Sequence, residues 1–487
     1  MSLGCAKNLV DSEIMLGELA RQGYEVVSDL ERAETVVVNT CAFIEEAKQE
    51  SIDAILEAVG RKGRGVERVL VAGCMVNRYG EELAKEIPEI DGFVGLDQLR
   101  EVGRLVELGG GPPLPAPSHV VFDHTAPRLL TTHGHAYLKV AEGCNNPCTF
   151  CAIPIWRGRF RSRTIESLVA EARQLEEAGI LELVLIAQDT TRYGEDLGLR
   201  RHGLLRLVEA LLAATSIPWI RFLYAYPTTL DEDLLRLMGS EPRFCSYLDM
   251  PLQHSHGDIL KAMRRGGDAA RYLRLLDRAR QLAPDVFLRS TFIVGFPGET
   301  EEHFRDLVAF VEHARFDHLG AFAYSPEPGT PGAALAGRVP RQVARRRLRQ
   351  LLAAQRPIAL AARRALVGRR LPVLVAGPSA ESEHLLAARH HGMAPDIDGQ
   401  VLINDCQFAA APAGLANTAG SSGGEAPWSG LGTLPAMATA EITEAYADDL
   451  VGRLVDAAVP AKGAAAAAST AAVRARRAGA ASLAVTA

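Results

Sequence analysis

The sequence predicts an α/β protein built in three parts. An open parallel α/β sheet comes first, a partial (β/α)6 TIM-like barrel occupies the centre, and a small β-rich module follows. Three observations predict this. Short apolar runs alternate with helical spacing in two separate series, a Gly/Pro-rich segment divides the series, and a β-rich segment follows an Arg-rich helical stretch. The chain has 487 residues, 48% hydrophobic and 23% charged, with a net charge of −6, enough for three domains that bury cores without disulfides. No apolar run is long enough to span a bilayer, so no membrane partner is expected, and the N-terminus lacks the basic start and apolar core of a secretory signal. A cytoplasmic location is therefore expected. In that reducing compartment the eight cysteines need a reason other than disulfides. The mildly acidic balance disfavours sequence-independent nucleic-acid binding.

Residues 1–108 form the expected first domain. Leu3 is the stub of a first strand, Thr35–Asn39 and Val69–Ala72 read as buried strands, and Ser12–Arg21 and Ile44–Ala58 have helical spacing. The chain begins only four residues before Cys5, so the first strand is expected to be clipped and the natural start to lie upstream. Gly109–Ser118, GGGPPLPAPS, sustains neither periodicity and opens a linker over 109–134. The second domain covers 135–365, with candidate strands Tyr137–Ala141, Leu183–Ala187, Trp219–Tyr224, Ser246–Asp249, Val286–Val294 and Leu319–Tyr324. Six such parallel strands suggest a partial barrel with its chemistry at their C-terminal ends. The Arg-rich stretch 338–364 reads as a solvated helix face rather than a nucleic-acid patch. The module at 366–456 carries a low-complexity insert at 409–436, and the Ala-rich tail 457–487 reads as disordered or loosely helical.

Two cysteine constellations carry the chemistry. Cys144, Cys148 and Cys151 have CxxxCxxC spacing, which lets three thiolates ligate three irons of a cubane and leaves the fourth iron without a protein ligand. S-adenosylmethionine (SAM) can chelate that open iron, as in radical SAM enzymes. The competing structural reading is a zinc site, which wants four ligands, usually in two pairs; no fourth partner lies nearby in the sequence. Cys5, Cys41 and Cys74 each lie just past the carboxyl end of a predicted parallel strand, the edge of an open α/β sheet where ligands bind. A lone cysteine there is best read as a buried thiol. Three in the same topological place point to a second three-cysteine cluster. Cys245 and Cys406 match neither pattern and read as ordinary buried thiols.

The chain resembles the methylthiotransferases, the radical SAM family whose N-terminal domain holds a second cluster. The resemblance rests on SLGCAKNLVDSE at 2–13, NTCAFIEEAKQESI at 39–52, AEGCNNPCTFCAIP at 141–154 and DMPLQHSHGDILKAMRR at 249–265. It extends to about Val455, where the last module is similar to the TRAM domain, a small β-barrel. Within the family the details, including YSPEPGTP at 324–331, resemble the members acting on ribosomal protein S12 more than those acting on tRNA. The resemblance implies two [4Fe–4S] clusters, one on Cys5, Cys41 and Cys74 and one on Cys144, Cys148 and Cys151. It also implies SAM contacts at the strand ends, at Gln188, Asp189 and Gly295. The implied reaction places a methylthio group on the β-carbon of an aspartate, with SAM as both radical source and methyl donor. It requires an electron donor such as flavodoxin or ferredoxin, and a sulfur donor.

Charge favours the same branch. Between Leu366 and Val455 there are four basic residues, Arg369, Arg370, Arg389 and Arg453, against ten acidic ones. An RNA-reading module needs cations for phosphates, whereas an acidic one suits a basic ribosomal protein. The rival readings are a tRNA adenosine methylthiotransferase and a non-catalytic iron–sulfur or zinc protein with an RNA-binding tail, which would not cleave SAM.

Overall fold

The computed structural model describes residues 1–27, 29–113, 117–199, 202–406, 434–456, 459–460 and 482–484. The N-terminal parallel sheet runs in the order Glu25–Val27, Ser482–Ala484, Thr35–Thr40, Arg68–Gly73, Gly92–Val94. Its two long strands are buried on both faces, which is why they read as continuous apolar runs. Val37, Leu70 and Ala72 pack on Val10, Ile14 and Leu19 of the helix Ala6–Arg21. On the opposite face Val36, Val38, Val69 and Val71 pack on Ala54, Ile55 and Ala58 of Glu45–Gly60 and on Met75 and Leu83 of Cys74–Glu86. This alternation is the period-two geometry of a strand.

The expected first-strand stub is present. Ser2 forms a parallel bridge with Asn39, and the Leu3 N–H donates to the Asn39 carbonyl at 3.0 Å. Ser482–Ala484 pairs on one side with Glu25–Val27 and on the other with Thr35–Val36. These three residues depart from the disordered or loosely helical tail expected from composition. The physical reason is that strands have open ladder groups, and any extended segment with free N–H and C=O groups can pair there. The rest of the tail after 460 and the insert residues up to 433 lie outside the described residues. Glu25–Val27 and Gly92–Val94 went unread in the sequence because three residues are too few to display a period.

The central strands are His135–Lys139, Glu182–Ile186, Trp219–Phe222, Tyr247–Asp249, Phe287–Val294 and His318–Ala323, forming two three-stranded parallel ladders. An isolated parallel bridge between Ile220 and Phe244, just before Tyr247–Asp249, links the two ladders. Among the described residues no ladder joins the first strand to the sixth, so the barrel is partial, as expected. The expected strand Tyr137–Ala141 is instead divided: it ends at Lys139, and Ala141–Glu142 turns to pair antiparallel with Arg161–Ser162. That hairpin frames the cysteine loop. The helix Ala6–Arg21 shares a core with Tyr137, Val184, Ile186 and Leu223 of the barrel, so the N-terminal sheet and the barrel are one packed body here.

The helix Arg341–Arg364 is only half solvated. Ala344, Arg347, Leu351, Gln355, Ala359 and Arg363 are buried at three- and four-residue spacing, and Arg347 Nη1 donates to Glu299 Oε1 at 2.7 Å. The strands Arg370–Pro378, Leu386–His390, Val401–Cys406, Ala436–Ala445 and Leu450–Leu454 then close into a small barrel, because the first pairs with both Leu386–His390 and Ala436–Ala445. Among the described residues no helix is long and apolar enough to cross a membrane.

Candidate active site

Each N-terminal cysteine sits where a strand gives way to a helix. Cys5 precedes Ala6–Arg21, Cys41 follows Thr35–Thr40, and Cys74 begins Cys74–Glu86. The parallel register brings these ends to one edge. Gly4 (φ +94°) lets the first loop close on the second: an added Cβ would fall 2.8 Å from the Cys41 Cβ and 3.1 Å from its Sγ. Asn8 ties the loops together. Its Nδ2 donates to the carbonyls of Leu3 at 3.0 Å and Thr40 at 2.8 Å, and its Oδ1 lies 3.4 Å from the Cys74 Sγ.

A buried ion network joins this triad to the barrel. Arg157 donates to Asp11 and Glu142 at 2.9 Å, to Asn8 Oδ1 at 2.7 Å and to the Cys74 sulfur at 3.2 Å. Lys139 bridges the same two carboxylates, meeting Glu142 at 2.9 Å and Asp11 more closely. Burial by itself would raise the Glu142 carboxyl, but Arg157 and Lys139 hold it well below the usual carboxylate range. Every charge in this network has an opposite partner, the condition for ions to persist in a low-dielectric interior.

The second triad is local. The Cys144 N–H donates to the Gly158 carbonyl at 3.1 Å and the Cys151 N–H to the Cys148 carbonyl at 3.2 Å. Gly143 (φ +77°) is needed because a Cβ there would meet the Arg159 carbonyl oxygen at 2.1 Å. Arg265 Nη1 lies 3.6 Å from the Cys148 sulfur. Burial pushes Cys41 and Cys144 up to about 11 and Cys74 and Cys151 up to about 12, so without metal these thiols hold their protons at neutral pH.

Both triads line one cavity of about 520 Å³, and Gln188 and Asp189 line it as well. Gln188 Nε2 donates to Glu142 at 2.8 Å, while its buried Oε1 has no protein partner. Asp189 accepts from Asn146 at 2.7 Å and from Thr191 at 2.7 Å. Burial raises its carboxyl against these bonds. Gly295 is not among the residues lining this cavity; its N–H donates to Glu299 at 2.8 Å, and an added Cβ would meet Ala344 at 2.4 Å, so its missing side chain admits the helix Arg341–Arg364. Cys245 is buried as expected, whereas Cys406 is half-buried at the end of its strand.

Sequence reasoning missed Lys7, Asn8, Asp11, Glu142 and Arg157. A signal existed for the first three, because they lie in a helix with buried residues on every side. Lys7 also lines the cavity; its ammonium lies 3.3 Å from the centroid of the Tyr224 ring, and burial lowers it to about 8. Glu142 and Arg157 carry no such mark, since a single buried charge looks like a surface one in a linear pattern.

The donor set also separates cluster from zinc. Among the described residues, only two groups of His, Cys, Asp and Glu bring three ligand atoms within 4.8 Å of one another, and neither contains a cysteine. Thiolates on one tetrahedral zinc, at about 2.3 Å each, would stand roughly 3.8 Å apart. The sulfurs of both triads are spread more widely, as ligands to separate irons of a cubane must be.

Residues 1–95 match the uncharacterized protein family UPF0004, residues 138–311 the radical SAM superfamily, and residues 367–455 the TRAM domain. The fold is similar to that of the radical S-adenosylmethionine methyltransferase TsrM from Kitasatospora setae, with a TM-score of 0.51 and 17% identity over 68% of this chain and 74% of that one. The ribosomal protein uS12 methylthiotransferase RimO of Anaeromyxobacter sp. (strain K) is 46% identical over 93% of this chain and 92% of its own length. That of Solibacter usitatus is 48% identical over 83% of this chain and 88% of its own. With two distant cysteine triads facing one cavity and identity at this level along nearly its whole length, the chain belongs to the family of ribosomal protein uS12 methylthiotransferases.

Proposed function

We propose that this chain adds a methylthio group to the β-carbon of an aspartate of ribosomal protein S12. Cys5, Cys41 and Cys74 would hold one [4Fe–4S] cluster, and Cys144, Cys148 and Cys151 a second one that also binds SAM. The observation that carries this reading is that both sets of three thiols line the same cavity. When bound, the clusters and SAM supply electron transfer, a radical source and a methyl donor. An unactivated C–H bond offers no acidic proton, so general-base chemistry by side chains would not serve.

The chain's own residues bind and orient. The buried Gln188 Oε1 is an acceptor awaiting a donor, such as an amine or hydroxyl of SAM. Asp189, fixed by Asn146 and Thr191, offers a second acceptor beside Cys144. Phe43, Phe150, Ile153 and Trp156 give the cavity that both triads line an apolar wall. Arg157 and Glu142 keep the N-terminal triad in register with the barrel. The module after Leu366, with ten acidic residues against four basic ones, favours a basic protein over tRNA as the substrate. The reaction further calls for a low-potential electron donor such as flavodoxin or ferredoxin, a sulfur donor, and the cytoplasm where ribosomes are built.

The test is anaerobic reconstitution, with iron and sulfide counted per chain and S12 analysed by mass spectrometry. About eight irons per chain, about four in a Cys144→Ala/Cys148→Ala/Cys151→Ala variant, and a methylthio group on an S12 aspartate with the wild type are expected. Four irons in the wild type would sink the second cluster, and modification of tRNA instead of S12 would sink the substrate.

A further inference from the structure

Lys7 is unusual among the cations of the cavity. Its side chain is buried, with 7% of the residue exposed, and it lies on the first turn of the helix after Cys5. Its ammonium rests on the Tyr224 ring at 3.3 Å, and among the described residues it has neither an ion-pair partner nor a hydrogen-bond acceptor. An ammonium carries three donors, and an aromatic face satisfies only one side of it. The other cavity cations are already engaged. Arg157 is held by Asp11 and Glu142, and Arg289 by Asp249 at 3.0 Å and Asp398 at 3.3 Å; Arg265 has no carboxylate partner among the described residues but donates to the Pro251 carbonyl at 2.7 Å and toward the Cys148 sulfur at 3.6 Å, whereas the Lys7 ammonium makes no hydrogen bond among them. The acidic groups around it, Cys5, Glu142 and Asp249, act on it through space without a hydrogen bond or ion pair, so its N–H donors stay open to an anionic ligand in the cavity.

A second observation points to the same place. Tyr224, just past the strand Trp219–Phe222, is a non-glycine residue in the left-handed region at φ +64°. Its N–H is pinned by Asp249 Oδ2 at 2.9 Å. Gln253, another lining residue, is at φ +72°. Strained backbone of this kind is retained where it positions a group for function.

We infer that Lys7 is a specificity-determining residue that binds the carboxylate of the substrate aspartate. This rests on the function proposed above. Lys7 stands two residues from Cys5, and its ammonium rests on Tyr224 just past a barrel strand, so a carboxylate bound to it would lie in the cavity that both triads line. An aspartate offers the ammonium a counter-charge as well as acceptors; an asparagine, isosteric but neutral, offers only a weaker carbonyl acceptor. The charge thus selects the residue, while the acidic module selects the protein.

The experiment compares binding of purified S12, and of S12 with the target aspartate changed to asparagine, to the cluster-loaded enzyme at matched iron content. In the wild type the asparagine substitution should weaken binding roughly tenfold or more, the scale of a charge-assisted hydrogen bond. Lys7→Gln and Lys7→Met should bind the two forms of S12 within about twofold of each other, and Lys7→Arg should restore a preference for aspartate. If one neutral variant fails to load iron, the same comparison on the other decides. Neutral variants that keep the wild-type ratio would overturn the assignment of Lys7 and leave the proposed function standing. A wild-type enzyme that binds both forms alike would overturn the aspartate as the group read in this cavity, and Lys7 with it. Failure of the wild type to bind or modify S12 at all would instead remove the functional reading beneath.

Discussion

The two cysteine triads reach the same cavity by opposite routes. Cys144, Cys148 and Cys151 lie within eight residues, in a loop fixed by its own backbone bonds and by the Thr149 N–H, which donates to the Met263 carbonyl at 3.1 Å. Cys5, Cys41 and Cys74 come from three strand ends and meet only because the sheet is parallel and Asn8 ties two of the loops. A local site inherits its geometry from covalent connection. A dispersed site inherits it from the stability of the fold, and so it should be the first to fail when the fold is weakened.

The hardest blow to the dispersed triad should come from Arg157→Met. It leaves Asp11, Glu142 and Lys139 as an unbalanced buried cluster, at a cost of about 3–5 kcal/mol in denaturant unfolding. Iron bound by Cys5, Cys41 and Cys74 should be lost while SAM cleavage at the other triad is still measurable; equal loss from both would mean that the sites are not separable. Two glycine substitutions probe the contrast from either side, each costing about 1–3 kcal/mol in backbone strain. Gly143→Ala drives a Cβ into the rigid Arg159 carbonyl and should abolish SAM cleavage with about four irons retained, whereas Gly4→Ala pushes on Cys41 and should spare SAM cleavage. Asn8→Ala should cost about 1–3 kcal/mol and lower iron at the dispersed triad alone, as read by paramagnetic resonance of the reduced protein.

The smallest effect concerns what the triads share. In the metal-free chain burial raises Cys41 and Cys144 to about 11 and Cys74 and Cys151 to about 12, above the ordinary thiol value of about 8.5. The folded state then holds protons that the unfolded chain releases. The stability these thiols contribute is fully present below about pH 8.5 and is lost as the pH rises through about 11–12. The unfolding midpoint of the metal-free protein should therefore fall above about pH 9, and the cluster-loaded protein, with its sulfurs bound to iron, should not follow it. Parallel profiles for the two forms would argue against metal on these cysteines.

Much of this was legible in one dimension. Apolar runs marked Thr35–Thr40 and Arg68–Gly73 because strands covered on both faces leave no polar alternation, and their cysteines could be placed by topology alone. At Gly295 the glycine after a strand meets a demand that no short stretch displays, the close approach of Ala344 in the helix Arg341–Arg364. The Arg-rich helix was read as solvated because its buried Arg347 and Arg363 carry the same letters as its exposed ones.

By itself, then, the sequence determined the metal chemistry and the order of the folding units, since both depend on residue type and local period. Only the tertiary structure decided which charges are buried, that Arg157 lies against Cys74, and that Lys7 lines the cavity with its ammonium on the Tyr224 ring. Those facts depend on desolvation and on contacts between residues far apart in the chain, such as Asn8 and Arg157 or Lys7 and Tyr224, and neither is encoded in any short stretch of chain.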